Sequence, residues 1–255
     1  MQALAASAVR TIATSRAAWR RNIVIDDNRR REQLQSKRVQ HASSDLALRG
    51  RLVVAVSIVT CLGLVVEVGA WLTPDAEWVA VLWPRLSLSA EANVPTWFAS
   101  SLLLVGAIAA GSIASRLAPG ARGRRHWWGI ALALGFVSLD EVAGLHEHLG
   151  GHLDTGGILY FDWVIWAAPI VVVLALVYLR FLRALPSPLR ERLVLAAVVY
   201  VAGALVMELP LGWWTDRWGT DSFGYALIDW IEETLELVGT TLALHALVAH
   251  GRAPR

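Results

Sequence analysis

The sequence predicts an all-α membrane protein, a bundle of six transmembrane helices behind a basic N-terminal segment. Three observations carry that reading. The 255 residues are 56% hydrophobic and 17% charged, against about 45–50% apolar and about 25% charged in soluble domains. Six apolar stretches each run for about 20 residues or more, enough for a helix to cross a hydrocarbon layer of about 30 Å. The connectors between them alternate strictly between arginine-rich and arginine-poor.

Composition also excludes classes. Disorder, collagen and coiled coil do not fit so apolar a chain. One cysteine, Cys61, rules out an internal disulfide and any cysteine-rich zinc or iron–sulfur site. The one lysine, Lys37, lies outside the apolar stretches, so no span can hold a Schiff-base lysine. No Walker loop, dinucleotide fingerprint or nucleophile elbow is present.

Residues 1–50 carry ten Lys or Arg and four Asp or Glu, whereas the rest carries thirteen and seventeen. The expectation is a basic cytoplasmic head, partly disordered or resting on anionic lipid as an interfacial helix. The stretch from Met1 to Ile25 is free of acid and rich in Ala, Ser and Arg, the composition of a targeting segment. Nucleic acid is not an expected partner, because lipid is the nearer anion.

The spans are read at residues 51–72, 96–115, 126–148, 158–182, 193–213 and 223–249, making 51–250 the membrane domain and 251–255 a short tail. Helix is the only option there, since lipid cannot satisfy backbone polar groups. The 116–125 connector holds Arg116, Arg122, Arg124 and Arg125, and the 180–192 connector holds Arg180, Arg183, Arg190 and Arg192. The 73–95 and 214–222 connectors hold only Arg85 and Arg217, and 149–157 holds none. Positive charge stays inside, so both termini are expected in the cytoplasm of a bacterial inner membrane. Trp71, Trp127, Trp128, Trp163, Trp213 and Trp214 fall near span ends and read as an aromatic belt.

The informative feature is acid inside the spans. The third carries Asp140, Glu141, His146, Glu147 and His148, and the sixth carries Asp229, Glu232, Glu233 and Glu236. Glu67, Asp162 and Glu208 add one each to the first, fourth and fifth. Each such group costs about 2.5–3.5 kcal/mol at the bilayer centre. At about 100° per residue the four acids of the sixth span share one face, as do Asp140, Glu141, Glu147 and His148 of the third, with His146 pointing away. Glu67, Glu141, Glu208 and Glu236 share a single sequence offset from a cytoplasmic-side arginine, respectively Arg51, Arg125, Arg192 and Arg252. At about 1.5 Å of helical rise per residue that offset spans about 24 Å. Four helices therefore put a carboxylate at one level in the outer half of the bilayer. Pro210, two positions beyond Glu208, frees a carbonyl one turn earlier and is expected to bend the helix there.

No Arg or Lys compensates these acids within the spans, so protons, a multivalent cation or water must. The leading expectation is a divalent metal, Fe, Mn or Zn, held by Glu67, Asp140, Glu141, His148, Glu208, Glu233 and Glu236. Carboxylate-bridged di-metal bundles use similar ligands, though their Glu-x-x-His motif is absent here. Glu147 and Glu232 would then move protons in metal-assisted chemistry on a lipidic or external substrate. The alternatives are a proton- or cation-coupled transporter, and a structural subunit whose protonated acids join helices, with Tyr200, Ser138 or Thr240 satisfying acids. Membrane lipid is the expected partner, with a homo-oligomer or a larger membrane complex beside it.

Overall fold

The structure, a computed structural model, describes residues 35–36, 40, 43–146, 148, 150, 153 and 155–252. The chain divides into two compact units, Met1–Leu48 and Arg49–Arg255. Of the cytoplasmic head expected over residues 1–50, residues 1–34 lie outside the described residues, as does Glu147, while 43–50 are helical and belong to the first helix, Ser43–Leu72.

Among the described residues there is no strand. The helices are α1 (Ser43–Leu72), α2 (Glu77–Leu86), α3 (Val94–Ser115), α4 (Arg124–Ala143) and α5 (Val164–Ala184). Then come α6 (Ser187–Val201), a π-helical turn (Ala202–Met207), α7 (Glu208–Trp218) and α8 (Phe223–Arg252). Four helices are long and apolar enough to cross a membrane: α1, α3, α5 and the continuous run Ser187–Trp218. The acid-bearing α4 and α8 are not among these four.

Several boundaries differ from the sequence reading. The third stretch stops as a helix at Ala143, not at His148, because Gly144 adopts a left-handed φ of 56°. The Gly144 N–H then caps the Asp140 carbonyl at 2.7 Å. The fourth begins as an α-helix only at Val164, after a 3₁₀ turn (Gly157–Leu159), which leaves Asp162 in the preceding turn. The 73–95 connector is not a plain loop but holds α2, whose interior Pro84 hides it from a periodicity reading. Near Pro210, where a bend is expected, the helical run carries a π turn that ends at Met207, just before Glu208-Leu209-Pro210 opens the next helix.

Burial runs opposite to that of a water-soluble protein. Leu132 is 72% exposed and Leu176 66%, whereas Glu67, Glu208 and Glu232 are 5%, 7% and 7% exposed. The apolar flanks of α1, α3, α4 and α5 face outward, and the polar groups face the packing interior. Trp127, expected in the belt, is instead core: it is buried with Ile113, Phe181 and Leu247 and stacks on His250.

α8 is the hub. It packs against α3, α6, the π turn and α7, and α3 pairs with α4. The Trp230 indole N–H donates to the Thr60 carbonyl at 2.9 Å, tying α8 to α1. Ser100 and Ser138 each donate to the other's carbonyl, at 2.8 and 2.9 Å, joining α3 and α4 through polar contacts suited to lipid.

Two glycines set the α6–α8 approach. A Cβ on Gly203 would lie 2.8 Å from the Glu232 carbonyl oxygen, and one on Gly239 would lie 2.6 Å from the Tyr200 backbone nitrogen. Gly203→Ala and Gly239→Ala should therefore lower the melting temperature in detergent. Helix propensity alone would favour alanine by about 1 kcal/mol, so the sign is diagnostic. Gly50→Ala, with nothing within 4 Å, should leave the melting temperature unchanged or raise it.

Candidate functional site

The acids sort into two neighbouring groups. The first surrounds α8. Glu236 is hydrogen bonded to Tyr200 of α6, and within electrostatic reach of Glu141 and Asp140 on α4 and Glu208 on α7. Glu233, one turn earlier on the helix, faces Glu236, Glu141 and Asp229. Glu232 faces Glu208, Glu236 and Asp229, and its Oε2 is buried and hydrogen bonded to nothing among the described residues. Three of the four carboxylates expected at one level, Glu141, Glu208 and Glu236, are thus brought together, with Glu232 and Glu233 beside them.

The fourth, Glu67, is not in that group. It accepts the Trp83 indole N–H at 3.0 Å and the Ser87 hydroxyl, both from the 73–95 segment. Across from it, Asp229 accepts the Ser89 hydroxyl and lies within electrostatic reach of Glu67. This second group reaches the first through Asp229, which faces both Glu232 and Glu233.

The remaining expected ligands are engaged elsewhere. Asp140 accepts the His146 backbone N–H at 2.9 Å, and its other oxygen lies 3.0 Å from His146 Nδ1. His146, expected to point away, therefore closes the C-terminal end of α4 onto Asp140. His148 is exposed, and its Nδ1 lies 2.8 Å from the Gly144 carbonyl oxygen. Asp162 is fully buried and accepts the Leu153 N–H at 2.6 Å, which anchors the turn before α5. Among the described residues no group of three or more His, Cys, Asp or Glu is arranged to hold a metal ion.

Trp163 lies at the edge of the acid group around α8. Its indole N–H donates to Glu208 Oε1 at 2.9 Å, and its ring lies 5.1 Å from the His146 ring. One side chain thus touches both the carboxylate of α7 and the residue that caps α4. The 3₁₀ turn presents Trp163 because Gly212 of α7 lets it approach closely: a Cβ there would lie 3.3 Å from the Gly157 carbonyl oxygen.

Sequence reasoning read Trp163 as a belt residue and did not single out Trp83, Ser87 or Ser89. One available signal was Gly144, a helix stop after which His146 comes back to Asp140. Tyr200, one of three hydroxyls weighed as acid partners, does satisfy one.

A family profile matches residues 51–250. The chain belongs to that family, described as Domain of unknown function (DUF8692). The DUF8692 match takes in every acid of both groups. No curated protein and no solved structure matches the chain.

Trp163→Phe keeps a ring against His146 and removes the donor to Glu208. Loss of a hydrogen bond to a buried carboxylate costs about 1–3 kcal/mol, so the variant should unfold at lower denaturant. The same substitution in a Glu208→Gln background should cost less. Equal cost in both backgrounds would remove Trp163 from the pocket.

Proposed function

We propose that the chain is a six-helix membrane protein that takes up cations into the acid pocket around α8, with the proton as its first occupant. One observation carries the reading. Glu141 of α4 and Glu208 of α7 lie within electrostatic reach of Glu236 of α8, and the buried Glu232 Oε2 beside it has no hydrogen-bond donor among the described residues. Buried like charges repel strongly in low dielectric, and no span carries an Arg or Lys at that level. The missing positive charge has to come from outside the protein.

Six spans follow from adding α4 and α8 to the four apolar helices. α4 has 20 residues and α8 has 30, about 30 and 45 Å, and each packs along α3. Their acids lower their apolar character but turn toward other helices, while Leu132, Phe136, Leu139 and Val142 of α4 remain outward. The arginine-rich 116–125 and 180–192 connectors favour both termini in the cytoplasm of a bacterial inner membrane. The pocket then lies in the outer half, and the apolar cytoplasmic core of Ile113, Trp127, Phe181 and Leu247 closes the other side. Lipid surrounds the bundle, and a second copy or a larger membrane complex supplies any through-path.

The unpartnered Glu232 oxygen also favours a second reading, a divalent Fe, Mn or Zn ion drawn between Glu141, Glu208, Glu232, Glu233 and Glu236. Such an ion would support metal-assisted chemistry on a lipidic or external substrate. The carboxylates would have to close in to hold it.

The deciding experiment uses full-length protein in sealed vesicles with a pH-sensitive dye. Wild-type protein should give pH-driven proton uptake that Glu236→Gln reduces at least tenfold, while Glu77→Gln, on the exposed start of α2, has no effect. Uptake unchanged by Glu236→Gln would overturn the proposal. Stoichiometric divalent metal in protein purified without chelator, lost in the same variant, would establish the second reading instead.

A further inference from the structure

The 73–95 segment between α1 and α3 does not behave as a loop in water. It descends along α1 in three steps. Trp78 meets Gly69, Trp83 meets Glu67, and Leu88 meets Gly63. Helix α1 ends at Leu72, so these positions lie about 4.5, 7.5 and 13.5 Å below its end. At the bottom Leu88 is buried in an apolar cluster with Val56 of α1, Leu102 of α3, and Leu237 and Leu244 of α8. Leu88 thus sits deep in the bundle although it belongs to a connector.

The non-helical backbone at that depth is satisfied by protein. Ser87 is fully buried, its N–H caps the Trp83 carbonyl at 2.9 Å, and its own carbonyl accepts the Asn93 side-chain N–H at 2.7 Å. Its hydroxyl donates to Glu67, and the Ser89 hydroxyl donates to Asp229. Irregular backbone at membrane depth is tolerated only where protein or a water-filled cavity encloses it, and this segment meets that condition.

The flank of α2 turned away from the bundle is apolar. Val81 and Leu82 are exposed there, Trp78 is partly exposed beside its contact with Gly69, and Trp71, Leu72 and Val65 of α1 are exposed as well. Arg85 is the single cation on this helix, and its guanidinium donates back to the Val81 carbonyl one turn nearer the start of α2. A snorkelling arginine points that way, toward the surface from which the helix descends.

We infer that residues 77–93 are a re-entrant helix and loop, with the Trp78, Val81 and Leu82 flank of α2 against acyl chains of the outer leaflet and Arg85 reaching up to lipid phosphate. The Leu86–Asn93 turn then seals the Glu67 and Asp229 side of the acid pocket from the external water. The inference rests on the membrane reading of the chain and is independent of what occupies the pocket.

The test is spin-label accessibility on the full chain in phosphatidylethanolamine–phosphatidylglycerol vesicles. Cys61, exposed on α1, is first replaced by serine, and single cysteines are placed at Asp75, Val81 and Leu82. The label at Asp75→Cys should collide with a water-soluble nickel chelate. Labels at Val81→Cys and Leu82→Cys should collide with oxygen, and at least tenfold less with the chelate. Chelate access at 81 and 82 equal to that at 75 would overturn the re-entrant segment. Exclusion of both oxygen and chelate, with spin–spin broadening between copies, would overturn the lipid partner in favour of a second copy of the chain. None of these readouts depends on proton uptake, so the pocket proposal and this one stand or fall separately.

Discussion

Burying several carboxylates on one helix without a cation is the constraint on which this structure turns. α8 carries Glu232, Glu233 and Glu236 into reach of acids of α4 and α7, an arrangement that lipid would not tolerate on an outer face. The bundle responds by surrounding α8. α3, α6, the π turn and α7 all pack on it, and the Trp230–Thr60 hydrogen bond adds α1. Close approach is what makes enclosure possible, and Gly203 and Gly239 supply it by leaving room for the opposing backbone.

The partners divide the acids by role. Those with neutral donors, Glu67 with Trp83 and Ser87, Asp229 with Ser89, and Asp162 with the Leu153 N–H, are held much as any buried polar group is held. They join connectors to helices. The α8 acids have mainly one another, with Tyr200 on Glu236 and Trp163 on the facing Glu208. Glue explains the first group, whose acids each have a neutral donor, better than the second, where the buried Glu232 Oε2 has no hydrogen-bond donor among the described residues. For that reason the cation-handling proposal rests on Glu141, Glu208, Glu232, Glu233 and Glu236 and not on the acid count of the chain.

Much of this was legible in the residues. Apolar length and hydropathy predict most of the helices, and a shared sequence offset from an arginine picks out Glu141, Glu208 and Glu236, the first two within electrostatic reach of the third. The same arithmetic places Glu67 at that depth, but depth fixes height and not azimuth. Glu67 is claimed by Trp83 and Ser87 because α2 folds back along α1, and no period in so short a helix containing Pro84 announces that. The helical-wheel reading of Asp140 through His148 failed at Gly144, where one left-handed residue turns the chain and brings His146 to Asp140. Tryptophans misled for a related reason. An indole near a span end suits the interface, yet its N–H is also the donor that a buried carboxylate lacks, and Trp83 and Trp163 serve the second need.

The claim that acids from separate helices share one pocket is most directly tested by a double-mutant cycle on Glu141 of α4 and Glu236 of α8, read as unfolding free energy in detergent. A shared pocket makes the two carboxylates interact, so Glu141→Gln and Glu236→Gln together should depart from the sum of the single effects by at least about 0.5 kcal/mol. Additivity within about 0.3 kcal/mol would mean that the two side chains do not sense each other, and the account of a common pocket would be wrong.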